Sequence, residues 1–156
     1  MHAPHPVRIA FLDTGNTGRS VAAEALAKAA IAQHRLNAQA ISRAAHWNPY
    51  NIHPEENFVA LFHERGIDLS RHRAAPFGAP EAAFSDLILT MTEAHKAWAI
   101  AHFPDATEKI FTLAKYAVGT HREVLDAFGQ TMDFYIGILA ELDGLVEAAV
   151  LKAANA

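Results

Sequence analysis

The residues whose types and spacing are best suited to binding or catalysis form a short polar stretch at positions 13–20. It follows an apolar run at residues 7–12 and precedes an alanine-rich segment, which we predict to be helical from about Val21. Glycine and asparagine let the backbone turn so that its N–H groups converge on one point. The positive end of the following helix faces the same point, and the guanidinium group of Arg19 can bind an anion there with two N–H groups. The stretch therefore predicts a phosphate-binding loop. Its members are Asp13, Thr14, Gly15, Asn16, Thr17, Gly18, Arg19 and Ser20.

The composition predicts one domain and disfavours several classes of partner. A chain of 156 residues, 51% of them hydrophobic, has enough apolar surface for one core. We therefore expect a single domain over residues 1–156, with loose termini at 1–6 and 154–156. The net charge of −4 and the pI of about 6.2 offer no basic surface for nucleic acid or an anionic membrane.

The counts of cysteine and histidine limit the chemistry further. The chain has no cysteine, which removes disulfides, thiolate metal sites and a cysteine nucleophile. It has ten histidines, but none of the predicted helices carries a pair three or four residues apart, so we predict surface histidines and no metal site. Residues 1–6 have no long apolar stretch and resemble neither a signal peptide nor a membrane span. The expected location is the cytoplasm.

The predicted elements alternate between strands and helices. Apolar runs predict four strands, at residues 7–12, 38–45, 86–91 and 110–113. Helical spacing and capping residues predict helices from about 21, from 54 to 66, from 94 to 103 and from 130 to 153, with loops at 46–52 and 76–80. This order predicts an α/β fold, a three-layer sandwich with a short parallel sheet of about four strands.

With these elements in place, the chain resembles the low-molecular-weight protein tyrosine phosphatases. That family carries the signature C-x5-R-S/T between its first strand and first helix, where this chain has residues 13–20. Residues 62–73 and 86–92 resemble two further family segments, and residues 125–129 fall where the family has an Asp-Pro-aromatic loop with its general acid. The resemblance covers about residues 7–150 and implies the phosphotyrosine protein phosphatase I-like fold.

The departures from the family pattern concern the reactive groups. A family cysteine is replaced by Asp13, a frequent second cysteine by Gly18, and a common proline by Ala127. Carried over by resemblance, Arg19 and the backbone of residues 14–19 bind phosphate, Asn16 and Ser20 shape the loop, and Asp126 stands at the general-acid position. The resemblance also implies that the second thiol protects the first, so its loss beside Asp13 favours a natural change over a laboratory one.

Two interpretations of Asp13 remain open at this point. An ionised aspartate would accept the loop N–H groups itself, with Arg19 as a potential partner, and would compete with phosphate. The loop would then imitate its own occupied state, without cysteine-dependent turnover. Alternatively, Asp13 is a phosphoryl acceptor, which would require Mg²⁺ held by Asp13 and Asp126. Apart from that alternative, we expect no cofactor.

Aromatic residues on two loops are candidates for the walls of the cleft. By resemblance, Trp47 and Tyr50 lie on one wall and Phe128 on the other, where they could hold a substrate ring or pack as ordinary loop aromatics. Thr14 resembles the phosphoarginine-specific subset of the family. The expected partners are phosphate or a phosphorylated protein or small molecule, and a third interpretation is a protein-binding scaffold whose cleft is vestigial.

Overall fold

The computed structural model describes residues 5–156, and the expectations for residues 1–4 lie outside them. Its sheet consists of β1 (Val7–Asp13), β2 (Ala38–Ala44), β3 (Leu87–Thr90) and β4 (Ile110–Thr112). All pairings are parallel and the strand order is β2-β1-β3-β4, so β1 lies inside the sheet. The predicted α/β class with four parallel strands is confirmed.

Helices cover both faces of this sheet. They are α1 (Arg19–His34), α2 (Glu56–Glu64), α3 (Ala79–Phe84), α4 (Glu93–His102), α5 (Leu113–Val118) and α6 (Met132–Ala154), with a 3₁₀ helix at Pro104–Lys109. In the part of the chain that is described, no helix has the length and apolarity to span a bilayer.

The core divides into two layers because neighbouring residues of β1 face opposite sides. Ile9 and Phe11 pack in the larger cluster with α1 and α6, whereas Ala10 and Leu12 pack in the smaller one, which includes Ala99 of α4. Residues 9–12 are fully buried. The continuous apolar run of β1 therefore reflects burial on both faces of the sheet.

Two short helices were not predicted. The segment at 76–80, expected to be a loop, leads into α3, where Pro80 lies in the first turn and the Glu81 carboxylate accepts the Gly78 N–H at 2.9 Å. The predicted last strand stops at Thr112, and Leu113 begins α5, which ends at Gly119 with φ of 77°. Turn residues and a short apolar run concealed these two helices.

Candidate functional site

The polar stretch is the loop that joins the carboxyl end of β1 to α1, and Asp13 is the last residue of that strand. The Asp13 side chain is 3% exposed. Its Oδ1 accepts the Asn16 N–H at 2.7 Å and its Oδ2 accepts the Ser20 N–H at 2.9 Å. Both carboxylate oxygens are therefore bound by backbone donors of the loop that Asp13 begins.

A hydrogen-bond network, which we call the scaffold network, holds the loop from its inner side. It comprises Asn16, Ser20, Ser42 and His72. Asn16 has φ of 58°, a left-handed conformation that asparagine tolerates better than most residues. Its Nδ2 donates to the hydroxyls of Ser20 and Ser42, both at 2.9 Å, and its backbone carbonyl oxygen accepts from His72 Nε2 at 2.8 Å. Asn16 is completely buried, so the network fixes the turn from within the protein.

Several loop N–H groups have no acceptor among the described residues. Among residues 5–156, the backbone N–H groups of Gly15, Thr17, Gly18 and Arg19 make no hydrogen bond. Thr17 and Arg19 are buried, at 8% and 5% exposure. Because buried amide donors normally have a partner, these groups are available to a water molecule or an anionic ligand.

Arg19 is directed to the opposite wall of the cleft. Its NH1 donates to the Val124 carbonyl oxygen at 2.9 Å, and its NH2 lies 3.8 Å from Asp126 Oδ2. The pairing of Arg19 with Asp13 that the sequence analysis considered is not formed. Asp126, whose side chain is 55% exposed, is instead the ionic partner, and Arg19 is brought together with the candidate general acid.

Sequence reasoning missed Glu55, which falls at the start of the helix predicted from 54 to 66, as part of the site. Its Oε1 accepts the Tyr135 hydroxyl at 2.6 Å, and its Oε2 accepts the Thr17 hydroxyl at 3.1 Å. Burial, the largest cause, raises the pKa of the Glu55 carboxyl; the two hydrogen bonds oppose this shift, and the charges of Asp126 and Asp13 add to it. Asp13, Glu55 and Asp126 together form what we call the carboxylate side. No sequence spacing could have revealed Glu55, because the fold brings it to the loop.

His95 is a second residue that the sequence analysis misjudged, as a surface histidine. It is 6% exposed, and its Nε2 shares a 2.8 Å hydrogen bond with the exposed Thr14 hydroxyl. Its Nδ1 lies 3.0 Å from the hydroxyl of Thr92, which caps α4. Burial, together with the charge of Arg19, lowers the pKa of His95 to about 4, so the ring is neutral at pH 7.

The three candidate wall aromatics occupy different environments. Trp47 is anchored by an Nε1 hydrogen bond to the Ala74 carbonyl at 2.9 Å, whereas Tyr50 is 96% exposed. Phe128 is 66% exposed and lines a cleft of about 470 Å³ with Glu55 and Tyr135. Neither Trp47 nor Tyr50 lines that cleft.

The side chains around the loop are not arranged as a metal site. Within residues 5–156, no group of three or more His, Cys, Asp or Glu side chains is arranged to hold a metal ion. Each Asp13 oxygen already has a backbone donor, and Asp126 is paired with Arg19. The residues present therefore do not form a preorganised Mg²⁺ site.

Comparison with known proteins connects this loop to a family. The family model for low molecular weight phosphotyrosine protein phosphatases matches residues 8–154. The protein-arginine-phosphatase of Bacillus subtilis (strain 168) is 36% identical over 138 residues, covering 88% of this chain and 91% of the relative. The low molecular weight protein-tyrosine-phosphatase PtpB of Staphylococcus haemolyticus (strain JCSC1435) is 33% identical over 129 residues, covering 83% and 87%.

A solved structure is similar over nearly the whole fold. It is a YwlE arginine phosphatase whose cysteine-to-serine mutant carries a phosphorylated active-site serine; it is 33% identical, with a TM-score of 0.89, and covers 94% of this chain and 95% of that one. The match thus extends from the first strand through the final helix. On this evidence, the chain belongs to the low molecular weight phosphotyrosine protein phosphatase family.

Proposed function

We propose that this protein keeps the family's phosphate-binding loop but has lost cysteine-dependent phosphatase activity, and that it acts in the cytoplasm by binding. The observation that carries the proposal is the hydrogen bonding of both Asp13 oxygens to the loop backbone, in a chain without cysteine. Asp13 supplies negative charge where the family holds phosphate, and it binds two N–H groups of the loop itself. Its first role is therefore structural.

The placement of Asp13 at the nucleophile position is part of this proposal. Asp13 ends β1, six positions before Arg19, which is the separation of cysteine and arginine in the family signature. A thiolate at this position has one large, nucleophilic atom, whereas a carboxylate divides its charge over two oxygens that the loop already binds. Attack on phosphorus would have to use a lone pair of an oxygen whose negative charge these hydrogen bonds already stabilise, which makes it a weaker nucleophile.

Ligand binding at the loop relies on the donors that Asp13 leaves free. The unpaired N–H groups of Gly15, Thr17, Gly18 and Arg19 fit an oxyanion, so the proposed ligand is phosphate or a phosphorylated protein or small molecule. The relatives include both a protein-arginine-phosphatase and a protein-tyrosine-phosphatase. We favour phosphoarginine, since the exposed Thr14 resembles the phosphoarginine-specific subset.

One observation favours a second candidate, in which Asp13 accepts the phosphoryl group with the help of Mg²⁺. In the related cysteine-to-serine mutant, the active-site serine is phosphorylated, so an oxygen can be phosphorylated in that fold. The hydrogen bonds on both Asp13 oxygens weigh against this candidate. A third candidate, the scaffold with a vestigial cleft, predicts that no anion binds.

Hydrolysis of an aryl phosphate, measured with and without Mg²⁺, tests the proposal. The protein, Asp13→Ala and Asp13→Cys would be compared, with Asp68→Ala as a control at an exposed aspartate. We expect no turnover by the protein or by Asp13→Ala, and vanadate binding by at least Asp13→Ala, which frees two further N–H donors. Mg²⁺-dependent turnover that Asp13→Ala abolishes would replace the proposal with the second candidate. Absence of phosphate and vanadate binding from all variants would favour the third.

A further inference from the structure

Glu55 makes three hydrogen bonds to the loop and to α6 that the proposed function does not explain. Its peptide N–H donates to the Thr17 carbonyl at 2.8 Å, and its carboxylate accepts from the hydroxyls of Thr17 and Tyr135. The side chain is therefore held in place from two sides. Its carboxylate lies beside the loop at a fixed position instead of extending into solvent.

Gly18 makes room for this carboxylate. A Cβ built on Gly18 would lie 2.9 Å from Glu55 Cδ and 3.0 Å from its Oε1, and closer still to its Oε2. These separations are shorter than van der Waals contact, so any side chain at position 18 would displace the Glu55 carboxylate. The side chain of Glu55 thus occupies the space that a larger residue at position 18 would need.

The carboxylate also changes the charge beside the free N–H groups of the loop. The nearby charged side chains are Asp13 and Arg19 of the loop region, Asp126 of the loop before α6, and Glu55 itself; Tyr135 of α6 is uncharged at pH 7. Three carboxylates face one guanidinium, which gives a net charge of −2 when all are ionised. A phosphate dianion entering the loop is repelled, and Glu55 contributes a third of the negative charge that opposes it.

We propose that Glu55 is a specificity-determining residue of the loop, which lowers its affinity for phosphate dianions by holding a carboxylate over Gly18. The inference rests on the proposed function, since it assumes that the loop binds oxyanions. It also relates Gly18 to Glu55, because the Glu55 carboxylate can lie beside residue 18 only where that residue has no side chain.

Isothermal titration with inorganic phosphate tests this inference at about pH 8, where most of the phosphate is dianionic. The variant Glu55→Gln keeps the size of the side chain and removes its charge. The matched control is Glu64→Gln, an exposed glutamate at the other end of α2 that does not line the cleft. We expect Glu55→Gln to bind phosphate about tenfold more tightly than the wild type, and Glu64→Gln to bind within about twofold of it.

The outcomes separate this inference from the proposed function. If Glu55→Gln binds phosphate no better than Glu64→Gln, or if neither binds, the inference is overturned. The variant Asp13→Ala in the same titration then decides the proposed function, because phosphate binding by Asp13→Ala preserves the loop as an oxyanion site without any role for Glu55. Thermal denaturation of each variant shows that it is folded, so a binding change is attributable to the site.

Discussion

The scaffold network and the carboxylate side contact the loop through different kinds of interaction. The scaffold network on the inner side is tied by hydrogen bonds around the fully buried Asn16. The carboxylate side carries Asp13, Glu55 and Asp126 around Arg19. Asp13 belongs to both functions, because it binds two loop N–H groups and also adds to the charge that the loop presents. Asn16 therefore shapes the turn, whereas Glu55 and Asp126 can change the charge of the site without breaking the bonds around Asn16.

The substitution Asn16→Ala removes the central residue of the scaffold network, and we expect it to have the largest effect. It leaves the buried Ser20 hydroxyl and the Ala75 N–H without a partner, leaves Ser42 with only its bond to Glu24, and places alanine at a positive φ. We expect a loss of about 3–4 kcal/mol in the free energy of unfolding, measured by urea denaturation. The variant Asn16→Gly keeps the backbone conformation accessible and should recover about 1 kcal/mol. A loss below about 1 kcal/mol for Asn16→Ala would show that the network does not hold the loop.

A second prediction concerns His95, whose neutral ring is hydrogen-bonded to Thr14 of the loop. Its pKa in the folded protein, about 4, lies below the ordinary value of 6.5. The stability from its neutral ring is thus present above pH 6.5 and is lost as the pH falls towards 4. We expect wild type to lose about 2–3 kcal/mol between pH 7.5 and 4.5 that a His95→Gln variant does not lose. If the free energy of unfolding, measured by urea denaturation, depended on pH equally in the two proteins, the prediction of a neutral His95 ring would be wrong.

A third prediction tests whether Gly18 and Glu55 are coupled. Gly18→Ala should force the Glu55 carboxylate from its bonds with Thr17 and Tyr135, at a cost of about 1–2 kcal/mol. In a Glu55→Ala background the same substitution should cost less, because the obstructing carboxylate is gone. A double-mutant cycle based on thermal unfolding measures the difference. Additive effects of the two substitutions would mean that position 18 and Glu55 are independent.

The smallest expected effect is the pH dependence of Glu55. Its pKa is raised above the ordinary value of 4.5, so its favourable contribution is present below pH 4.5 and is lost as the pH rises through the folded-state pKa. The stability of Glu55→Gln relative to wild type should accordingly increase as the pH is raised from about 4 to 7. Melting temperatures over this range provide the measurement, and Glu64→Gln should show no such trend.

The fold was largely predictable because its signals are local. The apolar run of β1 and the spacing in α6 each reflect burial that recurs along one segment. The helix α3 escaped prediction because Pro76, Gly78 and Pro80 suggested a loop, although proline is also suited to the first turn of a helix. Local patterns therefore specified the sheet and the long helices but not the shortest ones.

The site was predictable only where its residues are close in the sequence. The loop was located at positions 13–20 because glycine, asparagine and arginine lie together there, and the family resemblance added Asp126. The ionic partner of Arg19, the burial of His95 and the position of Glu55 depend on contacts between distant segments. No pattern within one segment encodes which carboxylate faces which loop.

The wide sequence separation of these contacts also determines when the site can form. Arg19 and Val124 are 105 positions apart, and Glu55 meets Tyr135 over a separation of 80. During synthesis the loop and Arg19 emerge early, while the backbone oxygen and the hydroxyl that complete their surroundings emerge much later. Contacts over such separations form slowly because a long chain segment must be closed first. The nascent protein therefore carries an unfinished loop through most of its translation, and docking of α6 is the step that completes it.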